Sequence, residues 1–416
     1  MAAFVRPVFL GVFVLAQTIE LGLIALNLGT ASRARGVPPS LKGLVPRRVA
    51  ERARRHAVAS GRHALVRGLF DAAFAAWLLF GGALPWLDRQ LAASGLAEPH
   101  RFVAFLGATS LGLVLLDLPF AWWRARSVEE PFGFGRVRLA TFVIDRARSL
   151  AMSALLVLPL LYATWAFLRH GGEAWWLWLF AAIVTLQLTL QWLWPALVAS
   201  RLSHARPVTG GPLPVRLEAL TAAAGFRTGG IYVVEASHRS GHANACLVGL
   251  FRPRVMLDDT LLARLTLEEV AAVTAHEIGH FRLRHQAQRL ALAMAATFAG
   301  LALTATVLTW APLYLAFGFD APSLHAAVAL VSLTGASLAF WVTPLAAALS
   351  RRQELAADAF AVRLFGRVGA LASALQRLSQ DNLANPWPHR WYAAWRFSHP
   401  PLADRLVALV RAADAR

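Results

Sequence analysis

A chain of 416 residues with one cysteine, Cys246, can form no intrachain disulfide and cannot build a structural zinc site from thiolates. Any metal it binds must be held by histidine and carboxylate. Lysine is almost missing too: Lys42 is the only one, so the formal net charge of +18 is carried by arginine. Charged residues make up 15% of the chain, against roughly 25% in an average soluble domain. Internal repeats and low-complexity tracts are also lacking, which excludes repeat arrays and disordered linkers as the main architecture.

What fills the chain instead is apolar. Hydrophobic residues make up 57%, and the mean hydropathy is +0.51, whereas soluble domains are roughly 45–50% apolar. Stretches of about 20 apolar residues, the length that crosses a bilayer, run from Pro7 to Leu28, Gly68 to Trp86, Phe102 to Trp123, Ser149 to Leu168, Trp175 to Leu197, Leu290 to Phe319 and Leu324 to Leu349. The sequence thus predicts a mainly α, polytopic membrane protein with seven spans. The first stretch is too long for a signal peptide, is interrupted by Glu20 and precedes no small-residue cleavage site, so a retained helix is expected.

Arginine is distributed unevenly. The segment after the first span carries Arg33, Arg35, Arg47, Arg48, Arg52, Arg54, Arg55, Arg62 and Arg67, while the next loop has only Arg89 and Arg101. After the third span come Arg124, Arg126, Arg136, Arg138, Arg146 and Arg148, and after the fourth only Arg169. The positive-inside rule places the odd-numbered loops in the cytoplasm, and parity puts the polar interval from about 199 to 289 and the tail after Ser350 on the same side. Basic residues lying between apolar segments are not a nucleic-acid-binding face, so no nucleic-acid partner is expected. Arginine in place of lysine hints at a GC-rich bacterial genome, hence a bacterial cytoplasmic membrane. Gln17, Glu20, Asp71, Asp117, Gln187 and Gln191 lie within spans, where ionisable and amide groups face a wet interior or pair between helices.

Four units are expected: residues 1–198 with five spans, 199–289 as a cytoplasmic domain, 290–349 with spans six and seven, and 350–416 completing the cytoplasmic domain. Within the second, Gly230 to Val234, Ala243 to Leu250 and Arg254 to Leu257 read as strands of a small antiparallel sheet. Thr266 to His285 reads as a helix, with Thr266 and Glu269 in capping-box spacing. On it stands His276-Glu277-Ile278-Gly279-His280. Residues four apart share a helix face, so the two imidazoles can hold one Zn2+ per chain, and Glu277 beside them can take a proton from an attacking water.

A catalytic zinc needs a third protein ligand. Leu283 and Gln286 occupy the positions where a metzincin has Gly and His, which rules that pattern out. Glu354, in Gln353-Glu354-Leu355-Ala356-Ala357-Asp358 just past the last span, supplies the ligand instead, and Asp358 one turn on can hold the far nitrogen of a ligand imidazole. His285 is assigned to the surface or to support of the site.

These residues resemble the type I CAAX prenyl endopeptidases, seven-span zinc proteases of the gluzincin clan. Pro131 to Phe134 and Thr141 to Asp145 are similar to a loop of that family, as are Ser237 to Ala245 and Leu257 to Leu262, and Ser398-His399-Pro400-Pro401 with Arg405 matches its C-terminal motif. Gly135, Gly241 and Cys246 depart from its pattern. The resemblance implies a chamber enclosed by the helices and a small α+β zinc protease domain. It also implies an edge strand carrying Asn244 and Ala245 that pairs with substrate backbone, His399 stabilising the oxyanion, and Arg405 orienting nearby carboxylates. The implied partners are membrane lipids and peptide or protein substrates, prenylated CAAX-type chains among them. An HtpX-type quality-control protease is the alternative within the class. A chamber protein that binds lipid or peptide around a structural zinc is the alternative outside it, and Glu277 argues against that, since a structural site has no use for a general base.

Overall fold

Continuous apolar sequence with no partner for its backbone except itself folds as helix in a bilayer, and among the described residues seven helices are long and apolar enough to cross one. The computed structural model describes residues 2–135, 138–199, 205–235, 245–249 and 253–414. The seven are α1 (Ala2–Arg33), α2 (Arg47–Phe80), α4 (Glu98–Trp123), α5 (Leu139–His170), α6 (Trp175–Ala199), α10 (His285–Val307) and α12 (Leu324–Phe365). Short helices α3 (Ala83–Ala93) and α11 (Ala311–Ala316) close the end away from the polar domain.

At three C-terminal ends the helix departs clearly from the apolar stretch, each time for a local reason. The second span stops at Phe80 because Gly82 takes a left-handed backbone (φ 80°) and starts α3, so Trp86 belongs to the next helix. The sixth stops at Val307: Pro312, in the first turn of α11, cannot continue a helix, and the fully buried Tyr314 donates from its hydroxyl to the Leu308 carbonyl at 2.7 Å to fix the corner. The seventh has no break after Leu349. Its helix α12 runs for 42 residues, about 63 Å at 1.5 Å per residue and twice the bilayer core, so one rigid rod carries both the span and Glu354.

α12 packs on α1, α2 and α4, whereas α5 touches α4 and α6, α6 touches α5 and α10, and α10 returns to α12. Spans four to six thus form a single-file arc. In the apolar windows of α5, α6 and α10 only 0%, 6% and 6% of residues are buried, against 28% in α12. Several of the polar groups in the spans pair: Arg67 bonds both Asp71 and Asp117, and Arg396 bonds Glu20. The side-chain oxygens of Gln187 and Gln191 are buried without a protein partner.

The polar domain holds α7 (Pro212–Ala223), α8 (Asp259–Leu262), α9 (Leu267–Arg282), α13 (Val368–Asp381), α14 (Arg390–Arg396) and α15 (Leu402–Asp414), with strands β1 (Arg206–Pro207), β2 (Ile231–Val234), β3 (Ala245–Val248) and β4 (Arg254–Asp258). The sheet is mixed, in the order β1-β2-β4-β3, which corrects the expectation of a purely antiparallel sheet. β4 is the most buried strand, with Val255, Met256 and Leu257 in the core, and it takes the inner place beside β2. Successive strands still reverse direction, so β3 pairs antiparallel with β4 from the outside and β2 and β4 become parallel. The core under the sheet joins Leu217, Leu257, Leu261, Ile278, Leu371 and Leu409. The arginine-rich segment after α1 docks on this end, where Leu41, Val45 and Ala50 pack with Trp387 and Leu406.

Candidate metal centre

Helix α9 starts where the capping box sets it: the Thr266 hydroxyl accepts from the Glu269 N–H, and the Glu269 carboxylate accepts from the Thr266 N–H at 2.8 Å. It ends at Arg282, three residues before the expected His285. Between its histidines sits Gly279, whose missing side chain lets α12 approach. A Cβ there would lie 3.0 Å from the Ala357 carbonyl and 3.1 Å from its Cα. Ala357 is itself fully buried and lies between Glu354 and Asp358. The pair Gly279 and Ala357 therefore sets the spacing of the two helices that carry the metal-binding groups.

Across that contact His276 Nε2 lies 3.2 Å from His280 Nε2 and 3.4 Å from the Glu354 carboxylate, while His280 Nε2 is 3.3 Å from the same carboxylate. Tetrahedral zinc with bonds of about 2.0–2.2 Å holds its ligand atoms about 3.3–3.6 Å apart. One Glu354 oxygen is buried with no hydrogen-bond partner, an arrangement that a cation relieves. His276, His280 and Glu354 thus fit one Zn2+, and within the described residues they are the cluster able to hold it.

Behind His276 stands Asp358, 2.8 Å from Nδ1 and 1% exposed. Arg405 on α15 grips the same carboxylate with two hydrogen bonds, at 2.8 and 2.6 Å, a bidentate geometry that fixes the acid's plane. Burial opposes charge on His276, but Asp358 and Glu354 outweigh it and raise the imidazole to about 9. Glu277 is pushed above the usual carboxylate range by burial, which His276 and His280 partly oppose. It lines a cavity of about 160 Å³ with Ala245, Leu261, Val273, His276, Glu354, His399 and Arg405. His399 sits at its rim, with Nε2 3.4 Å from Glu354 and Nδ1 2.9 Å from the Ser398 hydroxyl.

Ala245 opens β3, the strand at one edge of the sheet, opposite Leu257. Asn244 and the rest of the segment from Ser237, with Gly241, lie outside the described residues. Cys246, next along β3, is half-buried and its thiol is raised to about 11, mainly by burial. Gly279 does not stand out in the sequence, where its signal is only that of a small residue within the motif; of the two places expected for His285, the surface or support of the site, the structure gives the second, buried against His280.

Comparison with known proteins agrees with this geometry. A family model described as the CAAX prenyl protease N-terminal region with five membrane helices matches residues 28–200, and one for peptidase family M48 matches residues 211–413. The CAAX prenyl protease 1 homolog of Arabidopsis thaliana is 29% identical over 389 residues, covering 91% of this chain and 92% of its own. The human homolog is 27% identical, covering 90% and 88%. The probable CAAX prenyl protease 1 of Schizosaccharomyces pombe is 30% identical over 333 residues, covering 78% and 70%. In fold, the crystal structure of S. mikatae Ste24p superposes with a TM-score of 0.89 over 97% of this chain and 98% of that one, at 23% identity. With a His-His-Glu zinc site at the end of a seven-span bundle, the chain belongs to the CAAX prenyl protease family of M48 peptidases and is a membrane zinc metalloendopeptidase.

Proposed function

We propose that this protease cleaves peptide bonds near the C-terminus of lipid-modified, CAAX-type substrates, with Glu277 as general base and the zinc end facing the cytoplasm. The observation that carries the reading is one cavity shared by a raised carboxylate, Glu277, the metal ligands His276 and Glu354, and an edge-strand residue, Ala245. A substrate adding to the edge of β3 would bring its backbone to that cavity, the general mode in which a peptide joins a sheet.

Zinc, when bound, supplies the Lewis acidity that polarises the scissile carbonyl and acidifies water. His276, His280 and Glu354 hold it. Glu277 takes the proton from the attacking water as the carbon–oxygen bond forms, then delivers it to the amine as the carbon–nitrogen bond breaks. In this scheme Ser398 donates to Nδ1 of His399, which places the proton on Nε2, beside the metal ligand Glu354, where it can stabilise the oxyanion. Asp358 and Arg405 keep His276 in register, and Asn244 with Ala245 aligns the substrate.

The orientation rests on charge. The arginine-rich segment 33–67 packs against the catalytic end, and such segments stay cytoplasmic. The single-file arc of α5, α6 and α10, with almost no buried residue in its apolar windows, supports a water-filled space between it and the other spans as the approach to the site. The test is Glu277→Gln in purified, reconstituted protein with a farnesylated peptide and its unlipidated twin. Loss of about 10²–10⁴-fold is expected for the variant, with the lipidated peptide preferred. Equal cleavage by variant and parent would remove the general-base reading, and equal cleavage of the two peptides would favour a quality-control protease.

A further inference from the structure

Histidine 285 is 5% exposed, and the mechanism above makes no use of it. On a continuous helix it would point away from the metal. At 3.6 residues per turn, positions five apart are rotated by about 140°, which would put His285 nearly opposite His280. The chain does not continue. Arg284 adopts a left-handed backbone, φ 58° and ψ 31°, and α10 restarts at His285. Among the described residues only Arg284 and Leu383 show positive φ without being glycine, a conformation that a side chain's Cβ disfavours.

The consequence of this bend is a contact no regular helix could make. His285 Nδ1 lies 2.8 Å from Nδ1 of His280, with the ring centroids 5.0 Å apart at 70°. The next residue, Gln286, donates from Nε2 to the Leu247 carbonyl of β3 at 3.1 Å, so the restarted helix is tied to the edge strand. His280 turns Nε2 towards His276 and Glu354. An imidazole that ligates through Nε2 carries its proton on Nδ1 and needs an acceptor there. Of the two nitrogens in contact, His280 Nδ1–H is then the donor and His285 Nδ1 the acceptor.

We propose that His285 is a positioning residue for the zinc site, accepting the Nδ1–H of His280 and so holding that ligand in the tautomer and orientation that present Nε2 to the metal. The inference rests on the zinc-site reading. It makes the two ligand histidines unequal: His276 leans on an anionic carboxylate, Asp358, and His280 on a neutral ring. The left-handed Arg284 is the structural cost of delivering that ring.

The experiment measures zinc affinity by chelator competition and the visible spectrum of the Co2+-substituted protein, both on the purified full chain. His285→Phe keeps a ring and removes the acceptor. His285→Asn retains an acceptor oxygen close to where Nδ1 sits. Zinc affinity is expected to fall about 10–100-fold in the first, with an altered cobalt spectrum, and to recover in the second. Because the Arg284 side chain is exposed, that position tests the backbone with His285 intact: Arg284→Gly should keep the parent affinity, and Arg284→Val, which disfavours the left-handed region, should reproduce the loss. Parent-like affinity in His285→Phe or in Arg284→Val overturns the inference, and so does an equal loss in the Phe and Asn variants, which would mark packing alone. A parent chain that binds no zinc would instead remove the metal-site reading beneath it.

Discussion

Ten of the 16 residues of α9 are buried, while none in the apolar window of α5 is, although both helices belong to one chain and α5 is the longer. The first is held by the sheet, α12 and α13, and carries groups whose positions must be right to a few tenths of an ångström. The second has neighbours on two sides and apolar side chains towards everything else. Sequence constraint therefore differs in kind: complementarity at the zinc end, hydropathy along the arc. A substitution that keeps hydropathy should pass in the arc and fail in α9.

The largest effect expected is loss of the metal. Glu354→Ala removes an oxygen ligand that neighbours His276, His280 and His399, and zinc should fall from one per chain to near none by elemental analysis, with peptidase activity at background. A variant that retains full zinc would break the ligand assignment. Behind the ligands, Asp358→Asn keeps shape but removes the charge gripped by Arg405 and His276. A 10–100-fold fall, about what loss of an outer partner costs, is expected in zinc affinity or kcat/KM, and wild-type values in both would make the pair merely structural.

Glycine substitutions test the packing contrast directly. Gly279→Ala drives a methyl to 3.0 Å from a backbone carbonyl on α12, and overpacking of this kind costs about 1–3 kcal/mol. Gly300→Ala, in α10 with open space around it, should change stability by no more than about 1 kcal/mol. Melting of the two variants in the same detergent decides the matter: equal shifts would mean that arc and core are packed alike.

The sequence revealed most of what depends on short-range periodicity. His276 and His280 could be placed because four residues make one turn, the spans because hydropathy persists for the width of a bilayer, and Glu354 with Asp358 because they share a helix face. What stayed hidden depends on where backbone direction changes. Hydropathy runs on to Phe319 past Val307, where the helix stops; Pro312 is the one mark of the break in the sequence, and the turn on Tyr314 leaves none. β2 and β4 are parallel because β4 takes the place beside β2, a choice made by burial across the whole domain. His285 reaches His280 only through a left-handed arginine, which residue preference does not suggest.

The smallest effect expected concerns proton transfer. Burial raises Glu277, so its carboxylate is protonated at a higher pH than an ordinary glutamate, near 4.3. A general base works only when ionised, so kcat/KM should fall as pH drops through that raised value, and the acid limb should lie above the ordinary glutamate range. The cause is separable from the metal. Val273 lines the same cavity, and Val273→Thr puts a hydroxyl there at nearly constant volume. Better solvation of the carboxylate should lower the Glu277 pKa and move the acid limb down while zinc affinity stays fixed. A substitution of comparable size on the arc, such as Val143→Thr on the exposed face of α5, should leave the profile unmoved. If both variants shift the limb equally, the raised carboxylate is not the product of local burial, and the contrast between a tightly built site and a tolerant wall would have to be drawn elsewhere.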